Sequence, residues 1–236
     1  MSTLEHGIDL VGLGKIAEAI PDEVYIDATK FTTEKIDQTL SPIFEVTSGL
    51  GRLIKQKFDN MVMIEKNLAI YSLQKAITKA INKSNTKGIK LIKPVHEKSF
   101  LRTLDETARE TEPLLHAMWQ NLISDQLTNP SFHPNFVNIL SCISPEEAKI
   151  LVTIKRREEI KESDGGYLIY TNDEFKRWVT DTGDTDFHEW NYACVLLYEY
   201  HFVDILVPKA GFYRNEESVV ILYRTKIGDQ FLEAVT

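Results

Sequence analysis

The stretch that decides the fold of this chain is LLHAMWQNLISDQLTNPSFHPNFVNILSCISPEEAKIL, residues 114–151. Its pattern predicts three helices joined by short turns. Pro134 suits a first helical turn, because the amide that proline lacks would have no intrahelical partner there. Ser144 and Glu147 flank Pro145 at the spacing of a capping box, in which each side chain bonds the other residue's backbone amide. The stretch therefore predicts a helical domain that leads into a clearly marked helix start.

The chain upstream of this stretch carries a long helical pattern. Apolar residues recur every three or four positions over about residues 43–83, which places them on one face of a helix. We predict one long amphipathic helix or two helices end to end, with turn chemistry at residues 84–88. A helical bundle over about residues 97–142 follows. Residues 1–143 are therefore assigned to an N-terminal helical domain.

The pattern changes from residue 144 to helices that alternate with short strands. A helix to about Glu162 comes first, and runs of apolar and aromatic residues predict strands at residues 167–170, 202–207 and 218–223. The order of helix, strand, two helices, hairpin and closing helix is similar to that of a winged-helix domain. We therefore predict a mainly α fold class, in which the helical domain precedes a winged-helix-like α+β domain over residues 144–236.

The formal charge of −8 is unevenly distributed along the chain. Residues 51–102 carry 12 basic and 3 acidic side chains, whereas the segments on either side are acidic. Six lysines of this basic segment are the candidate site for an anionic partner: Lys75, Lys79, Lys83, Lys87, Lys90 and Lys93. Three interpretations stay open, namely a solvated face paired with acidic neighbours, a helix at a membrane surface, and contact with a nucleic-acid backbone.

The composition of the third helix of the predicted winged helix disfavours DNA binding by this domain. Residues 186–202 contain acidic side chains and no Lys or Arg, although base and phosphate contacts need cations or amides. We therefore interpret the domain as a protein-interaction module. Its candidate contact residues are aromatic: Trp190, Tyr198, Tyr200 and Phe212. A nucleic-acid-binding winged-helix regulator that uses the basic segment 52–102 is the alternative.

The remaining chemistry-bearing residues do not form a catalytic pattern. The histidines lack metal-ligand spacing, and no Ser or Cys stands in a nucleophile-elbow context. We expect no catalytic residue, cofactor, metal or small-molecule substrate, and hence no enzyme. Cys142 and Cys194 are expected to be buried thiols of a reducing compartment. Without a signal peptide or a long apolar run, we expect a cytoplasmic protein.

The chain also resembles the bacterial abortive infection alpha family. The matching positions are Leu122 to Asp125, His133-Pro134-Asn135-Phe136 and Ser144 to Leu151, with weaker similarity at Tyr25, Ile43-Phe44 and Leu50 to Ile54. The resemblance implies a small helical bundle that leads through a His-Pro turn into a Ser-Pro-Glu helix. Structural roles follow for His133, Pro134, Ser144, Pro145 and Glu147. It also implies defence against phage, in which infection triggers dormancy or death of the host cell.

These observations lead to one hypothesis about function. We expect a non-enzymatic antiphage protein that acts through protein–protein interaction, with itself or with a phage or host protein. The amphipathic helix would be packed at rest, in an oligomer, and released towards a partner or a membrane surface on triggering. If its apolar face is core, Leu53→Asp or Phe58→Asp should unfold the protein.

Overall fold

The computed structural model describes residues 20–26, 38, 41, 49–159, 192–206 and 221–236. These residues form helices and, near the C-terminus, one two-stranded sheet, which confirms the mainly α fold class. The helices are α1 (Asp22–Ile26), α2 (Gly49–Asp59), α3 (Met63–Lys87), α4 (Glu97–Thr107), α5 (Pro113–Gln126), α6 (Asn135–Leu140), α7 (Pro145–Thr153), α8 (Tyr192–Glu199) and α9 (Lys226–Val235). The strands are β1 (Val203–Leu206) and β2 (Ile221–Arg224). No helix in these ranges is both long and apolar enough to cross a bilayer.

From residue 49 onward the amphipathic stretch is two successive helices, so the alternative of a single long helix is wrong. The chain leaves the helical path after α2, where Asn60 still donates to the carbonyl of Gln56 (3.2 Å), and Val62 is extended with φ −67° and ψ 157°. Helix α3 then continues to Lys87, beyond the start of the predicted turn. It ends at Gly88, whose φ of 65° is left-handed and favours glycine.

The first compact unit consists of residues 1–142 and 234–236. Helices α3 and α5 lie at its centre, and α4 packs against both. Every residue of α5 from Leu114 to Gln126 is buried. The core that α2, α3 and α4 share includes Ile54, Phe58, Leu73, Ile77, Phe100 and Leu104. Burial of these side chains is the main source of stability for this unit.

The second compact unit consists of residues 143–233. Helix α7 begins with the predicted capping box, in which Ser144 N donates to Glu147 Oε2 (2.6 Å) and Ser144 Oγ accepts from the Glu146 amide (3.3 Å). The helix ends at Thr153, so its predicted extension to Glu162 is wrong. The helix ends there because of a contact with a residue far away in sequence. The guanidinium of Arg224 donates to the carbonyl of Ile154 (2.8 Å).

Helix α8, a hairpin and most of α9 complete the described part of this unit. Strands β1 and β2 are antiparallel, with Val203 opposite Arg224 and Leu206 opposite Ile221. Thr225 caps α9, because its Oγ1 accepts from the amide of Gly228 (3.1 Å). The predicted strand at 167–170 and most of the predicted wing lie outside the described residues. The winged-helix assignment therefore stays a prediction.

Candidate functional site

The first lysines of the candidate stripe contact other residues of this chain. Lys75, Lys79 and Lys83 are half-buried on α3. Lys79 Nζ donates to Asn121 Oδ1 (2.7 Å), and Asn121 Nδ2 donates to the carbonyl of Val235 (2.9 Å). The ammonium of Lys75 lies 5.7 Å from the ring centroid of Tyr71. This part of the stripe therefore contributes to packing around α5.

The last lysines of the stripe are exposed at and beyond the end of α3. Lys87 is the final residue of the helix, and Lys90 and Lys93 follow in the connection to α4. Lys93 forms an ion pair with Glu97. Binding of an anionic partner by the six lysines stays a prediction, and Lys87, Lys90 and Lys93 are its exposed members.

A buried serine–histidine pair joins α3 to α5. Ser72 Oγ lies 2.7 Å from His116 Nε2, and His116 Nδ1 lies 2.9 Å from the carbonyl oxygen of Glu110. Such a hydroxyl–imidazole pair can activate a nucleophile. Here Ser72 is 0% and His116 2% exposed, so a substrate has no access to the hydroxyl. The pair is structural, and burial, with a smaller contribution from the charge of Lys79, lowers the pKa of His116.

The residues of the family motif have local structural roles. His133 Nδ1 accepts from the amide of Asn135 (3.2 Å) in the turn before α6, and Pro134 is the residue that precedes this helix. Ser144, Pro145 and Glu147 build the start of α7 described above. These contacts explain the residue types without a chemical reaction.

The predicted aromatic contact surface is only partly described. Tyr198 and Tyr200 are half-buried, and the ring centroid of Tyr200 lies 6.0 Å from that of Phe202. Trp190 and Phe212 lie outside the described residues. The assignment of the four aromatic residues to an interaction surface stays a prediction.

A groove of about 470 Å³ lies between α2 and α4. Leu53, Met61 and Leu101 are its apolar lining. Two ion pairs cross it, since Lys57 Nζ lies 2.5 Å from Asp105 Oδ2 and Arg109 Nε lies 3.4 Å from Glu65 Oε1. The polar residues that complete its lining are Gln56, Lys57, Asn60, Glu65, Asp105 and Arg109.

Exposed apolar side chains lie next in sequence to residues that line this groove. Val62, Met63 and Ile64 are 66%, 49% and 47% exposed, and they lie in sequence between two groove residues, Met61 and Glu65. Leu53 is 47% exposed on α2. We name this set the junction face; it consists of Leu53, Met61, Val62, Met63 and Ile64. The helical pattern left open whether the apolar face is core; Leu53 and Ile64 are exposed, whereas Phe58 is buried.

The described residues contain no group of three or more His, Cys, Asp or Glu side chains placed to hold a metal. Cys142 is exposed, contrary to the expectation of a buried thiol, whereas Cys194 is buried. Burial, followed by the charges of Glu146 and Glu147, raises the pKa of the Cys194 thiol to about 12. Within the described residues, the groove and the junction face are therefore the surface with the clearest binding character.

Comparison with known proteins gives one match. A family model described as abortive infection alpha covers residues 64–186, just over half of the chain. The matched range begins within the junction face and contains α4 to α7 and most of α3. No curated protein and no solved structure matches the chain.

Proposed function

Since the chain belongs to the abortive infection alpha family, which suggests a role in abortive infection of phage-infected cells, we propose that it acts there by binding a protein partner through the junction face and without catalysing a reaction. A cytoplasmic location and an infection signal received through residues 144–236 are parts of the same proposal.

The observation that supports this proposal most is the exposure of consecutive apolar side chains. Val62, Met63 and Ile64 are each about half exposed or more, and Leu53 adds to them from α2. Single exposed apolar residues are ordinary, but a contiguous apolar patch with a polar rim is typical of protein contact sites. The groove beside the patch supplies such a rim through Lys57, Asp105 and Arg109.

The burial of α3 changes how a trigger would act. Leu68, Ile70 and Leu73 of α3 are 0–2% exposed, so release of this helix would expose much of the core of the first unit. Exposure of apolar surface costs about 25 cal/mol per Å². We therefore propose that contact is made by the folded junction face, and that release of the whole amphipathic segment is not required.

Phage challenge of bacteria that express the chain tests this proposal. Wild-type protein should give survival of the culture at low multiplicity of infection and collapse at high multiplicity. Ile64→Asp should abolish protection while the purified variant keeps its helical circular dichroism spectrum. Val95→Asp is the matched control, because Val95 is 56% exposed outside the junction face. Equal protection by wild type and Ile64→Asp would refute the assigned face.

A nucleic-acid partner is the second candidate, favoured by the exposure of Lys87 and Lys90. If these lysines contact phosphates, wild-type protein should shift generic duplex DNA at low salt, and Lys87→Glu with Lys90→Glu should remove the shift. Lys79 is unsuitable for this test, because it holds Asn121 and its loss would alter packing. Absence of any shift with wild-type protein would exclude this candidate.

A further inference from the structure

We propose that the protein bound at the junction face presents an acidic segment, which places a carboxylate beside Lys98 and an apolar side chain on Leu53 and Leu101. The inference rests on the proposed function, because it names the chemistry of the partner to which that function assigns this surface. It follows from the groove that Leu53 shares with α4, from the charges along this groove, and from the end of α4 at which Lys98 lies.

A second groove, of about 560 Å³, adjoins the groove described above. Leu53 and Lys57 of α2 line both grooves, as do Leu101 and Asp105 of α4. We name the second one the Lys98 groove, because Lys98 lines it and does not line the first. Leu53 also belongs to the junction face, so a partner seated on that face reaches the Lys98 groove directly.

Leu53 and Leu101 form the apolar part of the Lys98 groove. Leu53 is 47% exposed and Leu101 is half-buried, so each has surface left for a contact. Lys98, Leu101 and Arg102 stand three and four residues apart on α4, and this spacing places them on one side of the helix. A bound segment therefore meets a leucine and a cation within one helical turn, about 5.4 Å.

Within the described residues, Lys98 is the cation of this groove whose charge no ion pair balances. The other charged side chains of its lining have partners in the chain, in the pairs Lys57–Asp105, Lys93–Glu97 and Arg102–Glu106. Lys98 is exposed, and so is Arg52, which precedes Leu53 on α2 and is likewise unpaired in this part of the chain. The charge left after pairing is therefore positive, which favours a carboxylate over an ammonium group in the bound segment.

The start of α4 adds to this positive potential. The helix begins at Glu97, and its N-cap residue His96 forms no side-chain hydrogen bond with the helix amides. The first amides of a helix have no intrahelical partner and carry partial positive charge. Lys98 lies in this first turn, so its ammonium group and the helix end attract a carboxylate together.

Arg102 offers a second donor group that is already held in place. Its Nη1 donates to Asn138 Oδ1 and its Nη2 donates to Ser141 Oγ (3.1 Å), so contacts with the end of α6 fix the guanidinium. With Nε directed at Glu106 (3.4 Å), these contacts use three of the five N–H groups of an arginine. A carboxylate beside Lys98 can accept from the remaining ones without displacing Asn138 or Ser141.

Selection of random peptides against the purified full chain tests the proposal. Peptides displayed on yeast should be enriched when an Asp or Glu stands within a helical turn of a Leu, Ile, Phe or Met. The chain carries −8, so nonspecific attraction alone would enrich basic peptides instead. Enrichment of basic or uncharged peptides, or of none, would overturn the proposal.

Variants of the chain locate the binding of the most enriched peptide. Lys98→Glu should weaken its affinity, measured by fluorescence anisotropy, by at least about fivefold, because an attraction becomes a repulsion. Leu53→Ser should weaken it too, through loss of the apolar contact. Lys90→Glu is the matched control, because Lys90 is exposed outside both grooves and the substitution changes the net charge equally. It should bind as wild type does, and equal affinities of wild type and Lys98→Glu would refute the site.

A compensating change in the peptide separates charge recognition from damage to the fold. A peptide with Lys in place of its acidic residue should bind Lys98→Glu more tightly than it binds wild type. Lys98→Glu is expected to fold, because an acidic side chain in the first turn of α4 suits the helix dipole, and circular dichroism checks this. A charge-reversed peptide that binds both proteins equally would contradict the proposed pairing.

Phage protection separates this inference from the proposed function. Lys98→Glu should lose protection as Ile64→Asp does, whereas Val95→Asp should keep it. If Ile64→Asp loses protection but Lys98→Glu keeps it, the junction face is functional and the acidic partner is wrong. If the peptide selection succeeds and both variants keep protection, the groove binds acidic segments and the functional assignment of the face is wrong.

Discussion

The hydroxyl of Ser72 donates a hydrogen bond to Nε2 of His116 across 2.7 Å within the core of the helical unit. His116 Nδ1 donates to the carbonyl of Glu110 at 2.9 Å, so the neutral imidazole has a partner at each nitrogen. A protonated ring could not accept from Ser72. This pair of hydrogen bonds thus joins α3 to α5 and makes the contact between these two helices sensitive to acid.

The stability of the protein should decrease as the pH falls below the ordinary pKa of histidine, about 6.5. Burial, with a smaller effect of Lys79, lowers the pKa of folded His116, so the unfolded chain takes up the proton first. The contribution of His116 is therefore complete above this pH and is lost between it and the lower folded pKa. Urea unfolding at a series of pH values measures the effect.

His116→Gln provides the check on that assignment. The variant should be less stable than wild type at neutral pH, and its stability should depend less on pH across this window. His96→Gln should keep the wild-type dependence, because His96 is exposed. An unchanged pH profile in His116→Gln would show that another group is responsible.

Phe58 and Leu53 should respond very differently to truncation. Phe58 is 0% exposed, so Phe58→Ala should lower the free energy of unfolding by about 3–5 kcal/mol. Leu53 is 47% exposed, and Leu53→Ala should change it by no more than about 0.5 kcal/mol. Chemical unfolding of both variants gives the comparison. A large loss in Leu53→Ala would contradict the exposure of the junction face.

Gly228 should not tolerate a side chain. A Cβ atom at this position would lie 2.2 Å from the carbonyl oxygen of Phe202, which is backbone and unable to move aside. Overpacking of this kind costs about 1–3 kcal/mol or more, so Gly228→Ala should lower the melting temperature. Gly49→Ala is the control, because nothing lies within 4 Å of its added Cβ. It should be neutral or stabilising by up to about 1 kcal/mol, since alanine favours helix.

The two cysteines should differ in reactivity. Cys142 is exposed, whereas Cys194 is buried and has its pKa raised to about 12, mainly by that burial. A thiol-specific reagent at neutral pH should therefore label one thiol quickly and the second only on unfolding, because the thiolate is the reactive form. The Cys142→Ser variant identifies which thiol reacts first. Rapid labelling of this variant in the folded state would contradict the assignment.

One local feature follows directly from a local signal in the sequence. The capping box at Ser144 depends on hydrogen bonds within a few residues, so its pattern is visible in the chain itself. The turn predicted at residues 84–88 is partly wrong, because the helix continues to Lys87 and ends at Gly88. Thr86 is a turn-forming residue by type, but its Oγ1 donates to the carbonyl of Asn82 (2.8 Å) and the helix continues.

The remaining differences are not visible in the local pattern of the sequence. Phe58, Met61 and Ile64 keep helical spacing across the break, so periodicity alone favours a continuous helix. The end of α7 depends on Arg224, which is far away in sequence. The junction face exists because the helical path is interrupted between α2 and α3. No motif at residues 61–64 indicates that interruption.

Helix α5 is buried on every side from Leu114 to Gln126. A helix at a surface tolerates amino-acid substitution on its solvent-facing side. Tolerant and intolerant positions therefore alternate with a period of three or four residues. α5 has no such side. Saturation mutagenesis should therefore find every position of α5 intolerant of substitution. Amino-acid changes that keep the fold should accumulate in other elements of the protein.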